Sequence, residues 1–196
     1  MQKIKRLVAR SNTDHAGCLR TRKSTSSVHL MHGVNLCKAV CATQGVIGLS
    51  SGENEFQGTV KAAAVGLGMK QVCHELHQQV DLTVETDSSA AKGILQRRGV
   101  GKIRHLHCPL LWVQQKVYTQ ELSIRKVRGK TNTPDLGTKH LGAKDMWSIL
   151  HALNFGKRDG SSKLAKEISV MSLELVAAIT LWLSSFQPMR PSQSVF

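Results

Sequence analysis

Three acidic residues stand at the ends of successive predicted elements. Glu55 lies at the start of a helical pattern in LSSGENEFQG, Asp87 ends the strand-like run VDLTVETD, and Asp135 opens a helical pattern in NTPDLGTKH. Such ends can converge at one edge of an α/β sheet, where ligands and metals commonly bind. Their carboxylate oxygens are ligands that could hold divalent metal ions. The three are therefore candidate metal ligands, and the alternative for each is a solvated helix-end acid, or for Asp87 an ordinary turn or N-cap residue.

The composition favours a polyanionic partner. The chain has 196 residues, with 27 Lys and Arg against 13 Asp and Glu, a formal net charge of +14 and 41% hydrophobic residues. This hydrophobic content suffices for a folded core, and the excess of positive charge favours nucleic acid over a membrane surface. Only 4% of the residues are aromatic, which argues against a single-strand binder built on base stacking.

Two basic segments are candidate nucleic-acid-binding loops. One lies in the turn after the first predicted strand, and the other lies in the Gly-broken stretch RRGVGKIRH. The candidate residues are Arg20, Arg22, Lys23, Arg97, Arg98, Lys102 and Arg104. Phosphate contacts from such loops are independent of sequence and sensitive to salt. The alternative for each segment is a solvated basic loop.

The cysteines and the first residues bear on the compartment. The five cysteines are odd in number and irregularly spaced, and no C-x-x-C pair is present, so neither a zinc ribbon nor a redox motif is indicated. The opening MQKIKRLVARS has no apolar core of signal-peptide length. These features predict free thiols and an intracellular location, in the cytoplasm or nucleus, without secretion.

Periodicity predicts the elements that must position the acids. The strands are expected at Ile4–Ser11, Ser26–His32, Cys37–Gln44, Val80–Asp87 and Glu121–Val127. Helical patterns run from Gly52 to Leu76, from Ser88 to Gln96, from Pro109, and from Asp135 towards Leu153. The order is thus β-β-β-α-β-α-α-β-α. It predicts an α/β fold with a mixed five-stranded sheet, in which three antiparallel strands are followed by helical crossovers.

The chain changes character after Phe155. Residues 156–167, GKRDGSSKLAKE, have the composition of a linker. Residues 168–183 are strongly apolar, but this segment is shorter than the roughly 20 residues that span a bilayer. We therefore expect no membrane span, and a helix followed by a disordered end over residues 168–196, with no assigned role. Residues 1–155 form the predicted folded domain.

Five separated motifs resemble one family in order and spacing. STSSVHLMHG, ATQGVIGLSSGENEF, VETDSSAA, GVGKIRHLH and NTPDLGTKHL are similar to the ribonuclease H domain at the end of a copia-type retrotransposon Pol polyprotein. The resemblance covers about residues 5–150 and implies the ribonuclease H-like fold. It also implies a site of four carboxylates and two Mg²⁺ ions that cuts the RNA strand of an RNA:DNA hybrid. The last three family acids fall on Glu55, Asp87 and Asp135. Asp135 lies in the family's A-D-x-x-T-K pattern, with Pro134 in place of the usual Ala.

The first carboxylate of the family pattern is missing. The family has S-D-x-D-W-A-G at the end of the first strand, and this chain has SNTDHAG, so the catalytic position falls on Asn12. A neutral amide is a poor bridging ligand, which predicts weak metal binding and slow cleavage. Asp14 matches the second aspartate of the pattern and is the alternative ligand, although it lies about 6 to 7 Å further along the strand. His15 replaces the family's tryptophan.

Three functions remain open from the sequence. The first is a Mg²⁺-dependent ribonuclease H, impaired by Asn12, and the second is a catalytically dead nucleic-acid-binding domain of the same fold. The third is a membrane-associated or protein-interaction fragment led by residues 168–183. The expected partner of the first two is an RNA:DNA hybrid, read by shape and backbone, and the expected state is a monomer.

Overall fold

The computed structural model describes residues 6–101, 103, 105, 106 and 108–156. The strands are β1 (Arg6–Thr13), β2 (Thr25–His32), β3 (Asn35–Thr43), β4 (Asp81–Thr86) and β5 (Ser123–Lys126). The α-helices are α1 (Ser51–Glu75), α2 (Ser89–Gln96), α3 (Trp112–Tyr118) and α4 (Ala143–Ala152). Short 3-10 helices cover Cys108–Leu111, Gly129–Thr131 and Thr133–Gly137. The chain divides into two units at Phe155/Gly156. The predicted apolar segment 168–183 and almost all of the predicted linker lie outside the described residues.

The five strands form one mixed sheet in the order β3-β2-β1-β4-β5. β1 pairs antiparallel with β2, and β2 with β3, whereas β1 with β4 and β4 with β5 are parallel. Gly33, at φ 64°, opens the two-residue connection between β2 and β3, where a positive φ matches the twist of a tight hairpin. The predicted mixed sheet is confirmed, and its order is that of the ribonuclease H-like fold.

The apolar core lies between α1 and one face of the sheet. Phe56 and Ala63 of α1 and Leu30 and Val84 of the sheet are fully buried. The helical pattern predicted from Gly52 to Leu76 does not stay buried along its length, because Leu76, which caps α1, is 67% exposed. A helix of 25 residues is about 37 Å long, whereas an eight-residue strand spans about 26 Å. The last turns of α1 therefore extend beyond the sheet.

A ladder of charged residues crosses the other face of the sheet. Arg10 pairs in register with His29 on one side and Glu85 on the other, and Glu85 pairs with Arg125. Glu85 is fully buried and accepts hydrogen bonds from Arg10 Nε at 2.8 Å and from Arg125. Burial, followed by the charge of Arg10, lowers the pKa of His29 to about 4. This face of the sheet therefore buries charged and polar side chains at positions that an alternating strand pattern would place in solvent.

Within the described ranges, no helix is long and apolar enough to cross a membrane.

Candidate active site

Asn12 joins the end of β1 to the turn that carries Asp135. Asn12 is 2% exposed, and its Nδ2 donates to Asp135 Oδ1 at 2.7 Å and to Thr138 Oγ1 at 2.5 Å. Because a carboxylate can only accept, the amide must present its NH₂ group to Asp135. Asn132 Nδ2 donates to the carbonyl oxygen of Ser11 at 2.9 Å and holds the same turn against β1. Residues far apart in sequence thus meet at the carboxyl end of β1.

The second oxygen of Asp135 is also engaged. Lys139 Nζ lies 2.9 Å from Asp135 Oδ2, four residues further along the chain. Asp135 is 9% exposed, so its charge is largely removed from water. Both carboxylate oxygens therefore have protein donors, one from the Asn12 amide and one from an ammonium group.

Glu55 reaches the same end of the sheet from near the start of α1. The Ser50 hydroxyl caps this helix by accepting from Glu53 N at 3.2 Å, which fixes where the helix begins. Glu55 Oε1 accepts from Thr13 N at 3.3 Å, while its buried Oε2 has no hydrogen-bond partner among the described residues. Burial is the main cause that raises the pKa of Glu55 to about 8, and the neighbouring charge of Asp87 adds to it. Glu55 is therefore mostly protonated at neutral pH.

Asp87 follows the last residue of β4. The alternative in which Asp87 caps the next helix is wrong, because the Ser88 side chain accepts from Ala91 N at 3.1 Å and is the N-cap of α2. A Cβ atom added to Gly129 would lie 3.2 Å from Asp87 Oδ2, so the Gly129 backbone approaches this carboxylate closely. Asp87 is close enough to Glu55 to raise its pKa, as is Asp135 to a smaller degree.

Asp14 has a different environment from the other acids. Its Oδ1 accepts from Thr25 N at 2.6 Å, and its backbone N–H donates to the Thr25 carbonyl oxygen at 3.1 Å. A Cβ atom added to Gly17 would lie 2.2 Å from Asp14 Oδ2. The Asp14 carboxylate thus closes the β1–β2 connection, and nothing in these contacts favours it as a substitute ligand.

The donor set does not fit a preformed Mg²⁺ site. No group of three or more His, Cys, Asp or Glu side chains within the described ranges is arranged to hold a metal ion. The unpartnered Oε2 of Glu55 could accept a cation, but Asn12 presents a donor and both Asp135 oxygens are already engaged. Mg²⁺ binding by Glu55, Asp87 and Asp135 stays a prediction, and this arrangement does not favour it.

Two imidazoles contact residues of the first turn of α1. His15 Nδ1 lies 2.8 Å from Asn54 Nδ2, and Asn54 is 1% exposed. His105 Nε2 lies 3.2 Å from Glu53 Oε2, and the His105 side chain is 50% exposed. His15, which stands where the family has tryptophan, therefore makes a polar contact with the helix rather than an apolar one.

The predicted basic residues differ in their availability. Arg20 and Arg22 are exposed and Lys23 is half-buried in the β1–β2 connection. Arg97 donates to the Val100 carbonyl oxygen and supports its own loop, while the guanidinium carbon of Arg98 lies 4.3 Å from the centroid of the Tyr118 ring. Lys102 and Arg104 lie outside the described residues.

Sequence reasoning missed Lys139 and Thr138, which complete the contacts around Asn12 and Asp135. Both residues belong to the D-x-x-T-K part of the family pattern, so the signal was present in TPDLGTKH. The arrangement makes a network of hydrogen bonds around the Asp135 carboxylate, beside the Glu55 carboxyl group, whose pKa is raised by burial.

No protein-family model matches the chain, and no curated protein matches it significantly. Several solved structures are similar in fold. The N-terminal ribonuclease H domain of rv2228c from Mycobacterium tuberculosis is 13% identical, with 75% of this chain and 97% of that one covered and a TM-score of 0.49. LC11 ribonuclease H1, isolated from compost by a metagenomic approach, is 14% identical, with 65% of this chain and 88% of that chain covered and a TM-score of 0.45. The same enzyme in complex with an RNA/DNA hybrid is 13% identical, with 64% and 88% covered and a TM-score of 0.44. These similarities concern the fold alone.

Proposed function

We propose that this chain is a retrotransposon-derived, copia-type ribonuclease H-like domain that binds RNA:DNA hybrids and cuts them poorly or not at all. The supporting observation is the hydrogen bond between Asn12 and Asp135, at 2.7 Å across 123 residues of sequence. It brings the first and last acidic positions of the family motif together, and the charges of Asp87 and Asp135 act on Glu55 at the same place. Four positions that the motif relates in sequence are thus neighbours in space.

In this proposal, Asn12 is the reason for weak or absent cleavage. Two-metal hydrolysis needs ligands that hold both cations near the attacking water and the leaving oxygen. At the first ligand position this chain has a neutral amide, and its NH₂ group points at Asp135 instead of offering an oxygen. The Lys139 ammonium adds a positive charge beside the same carboxylate. The neutral amide, which departs from the family pattern, opposes the binding of divalent cations, whereas Lys139 belongs to that pattern and does not by itself distinguish this chain.

Hybrid binding is supported by charge. With 27 basic against 13 acidic residues, the chain attracts the phosphate backbone from a distance, and this attraction does not depend on an intact metal site. Arg20 and Arg22 are exposed on the β1–β2 connection, which begins at the end of β1 where Asn12 lies. Such contacts recognise the shape and backbone of the duplex and carry no preference for sequence.

A binding experiment tests this proposal. Fluorescence anisotropy with a labelled RNA:DNA hybrid is measured over a series of KCl concentrations for the parent and for Arg20→Gln/Arg22→Gln. If both arginines contact phosphates, the double variant binds more weakly and the slope of log K against log salt becomes shallower by about 2. The matched control is Lys38→Gln/Lys144→Gln, which removes the same charge from exposed positions on β3 and α4. If both double variants weaken binding equally, the interaction depends on net charge and not on contacts from Arg20 and Arg22. If the parent does not bind the hybrid, the proposal is refuted.

A further inference from the structure

The Asp135 carboxylate is a buried charge that requires compensation. At 9% exposure it has lost most of its hydration, and an uncompensated ion at such a position is strongly unfavourable. Its two oxygens accept from two different donors, Asn12 Nδ2 on one side and Lys139 Nζ on the other. In a metal-dependent site, cations would supply this compensation.

The Asn12 amide uses its full donor capacity here. Its NH₂ group has two hydrogens, and its two acceptors are Asp135 Oδ1 and Thr138 Oγ1. A carboxylate at position 12 has no hydrogen to donate, so it would place two acceptors and two negative charges against each other at a buried site. The Thr138 hydroxyl could rotate to donate, but Asp135 could not.

Lys139 supplies the countercharge. The ammonium group approaches Asp135 Oδ2 from the side that is open to solvent, since the Lys139 side chain is 51% exposed and the Asp135 side chain 13%. The two residues are four apart in sequence, with Asp135 in the 3-10 helix Thr133–Gly137 and Lys139 just after it. The amide and the ammonium thus cover both oxygens of a single carboxylate.

We propose that Asn12, which departs from the family pattern, works with Lys139, which belongs to it, to compensate the charge of Asp135, so that this end of the sheet keeps its folded geometry without a divalent cation. Asn12 is a positioning residue that fixes the turn at Thr133–Gly137 against β1, and Lys139 is its built-in counterion. The proposal concerns the folded state of the site. A failure of hybrid binding would therefore leave it untouched, and its own failure would leave hybrid binding untouched.

Thermal unfolding tests the proposal without any measurement of activity. The melting temperature Tm of the parent, Asn12→Asp and Lys139→Met is measured by circular dichroism in EDTA and in MgCl₂, with KCl added to match ionic strength. We expect the same parent Tm in both buffers. In EDTA, Asn12→Asp should melt about 5 to 10 °C lower because like charges meet at a buried site, and MgCl₂ should restore most of the loss.

Two outcomes overturn the proposal. One is a parent Tm that rises in MgCl₂ as much as that of Asn12→Asp, and the other is an Asn12→Asp variant that is as stable as the parent in EDTA. If Asn12→Asp is unfolded in EDTA but folds in MgCl₂, the proposal is supported. If it is unfolded in both buffers, the test is the Tm of Lys139→Met compared with that of its matched control, Lys144→Met, at an exposed position on α4. A lower Tm for Lys139→Met than for the control supports the counterion role, and equal values overturn it.

Discussion

Glu55 should make the stability of the domain fall as pH rises. The carboxyl group ordinarily titrates near pH 4.5, and burial beside Asp87 raises the pKa of Glu55 in the folded protein to about 8. Between these values the folded state holds a proton that the unfolded chain has lost. The stabilisation is therefore fully present below pH 4.5 and disappears as pH rises through 8.

The size of the effect follows from the two pKa values. Because of Glu55, the free energy of unfolding should be lower than in acid by roughly 3 kcal/mol at pH 7 and by roughly 5 kcal/mol above pH 8. Glu55→Gln cannot ionise and resembles the protonated carboxyl group in shape. We expect this variant to be more stable than the parent at pH 8 by about 3 to 5 kcal/mol, with a much flatter dependence on pH.

Urea denaturation in EDTA between pH 6.5 and 8 measures the effect. The matched control is Glu75→Gln, which makes the same substitution at an exposed position in the last turn of α1. The control should follow the pH dependence of the parent. Parallel pH profiles for the parent and Glu55→Gln would refute the assignment of a buried, protonated carboxyl group to Glu55.

Two further predictions concern packing and charge in the sheet. Glu85→Gln removes a fully buried carboxylate and leaves Arg10 and Arg125, whose side chains are 26% and 55% exposed, without their countercharge. It should lower the free energy of unfolding by about 1.5 to 3 kcal/mol in urea titrations, whereas Glu121→Gln in a more exposed ion pair should have a much smaller effect. Gly66→Ala would place a Cβ atom 2.6 Å from Leu82 Cδ1, whereas the Cβ atom of Gly68→Ala would meet open space. In urea titrations the free energy of unfolding of the first variant should be lower than that of the second by about 1 to 3 kcal/mol. Equal values would contradict this prediction and show that the core can adjust at Gly66.

The sheet could be predicted because alternation and turn residues act locally. Each end of the five strands lies within two residues of its predicted position. The first strand was misplaced by two residues, since it was expected at Ile4–Ser11 and lies at Arg6–Thr13. Its polar end, Asn12 and Thr13, becomes a strand because it pairs with Ser27 and Ser26 of β2, and such pairing is a tertiary effect.

The charged ladder could not be predicted from single strands. Arg10, Glu85 and Arg125 each occupy a polar position in an alternating pattern, which in isolation indicates a solvated face. Only the register places them side by side, so that a carboxylate becomes fully buried between two guanidinium groups. The sequence contains the charges, but their pairing depends on the sheet.

Part of the candidate site could also be predicted from the sequence, and part depends on the folded structure. The residue types at Asn12, Glu55 and Asp135 and their association at one end of the sheet follow from the motif. The direction of the Asn12 amide, the participation of Lys139 and the protonation of Glu55 depend on burial and on atoms from distant segments. These three features decide whether the arrangement accepts a metal ion.

The most direct measurement is cleavage of a labelled RNA:DNA hybrid in MgCl₂ by the parent, Asn12→Asp and Asp14→Asn side by side. The account predicts that the parent cuts the hybrid poorly or not at all and that Asn12→Asp cuts it measurably faster. A parent that cuts as well as Asn12→Asp would contradict the account. If that activity were lost in Asp14→Asn, the first ligand of the site would be Asp14 and not position 12.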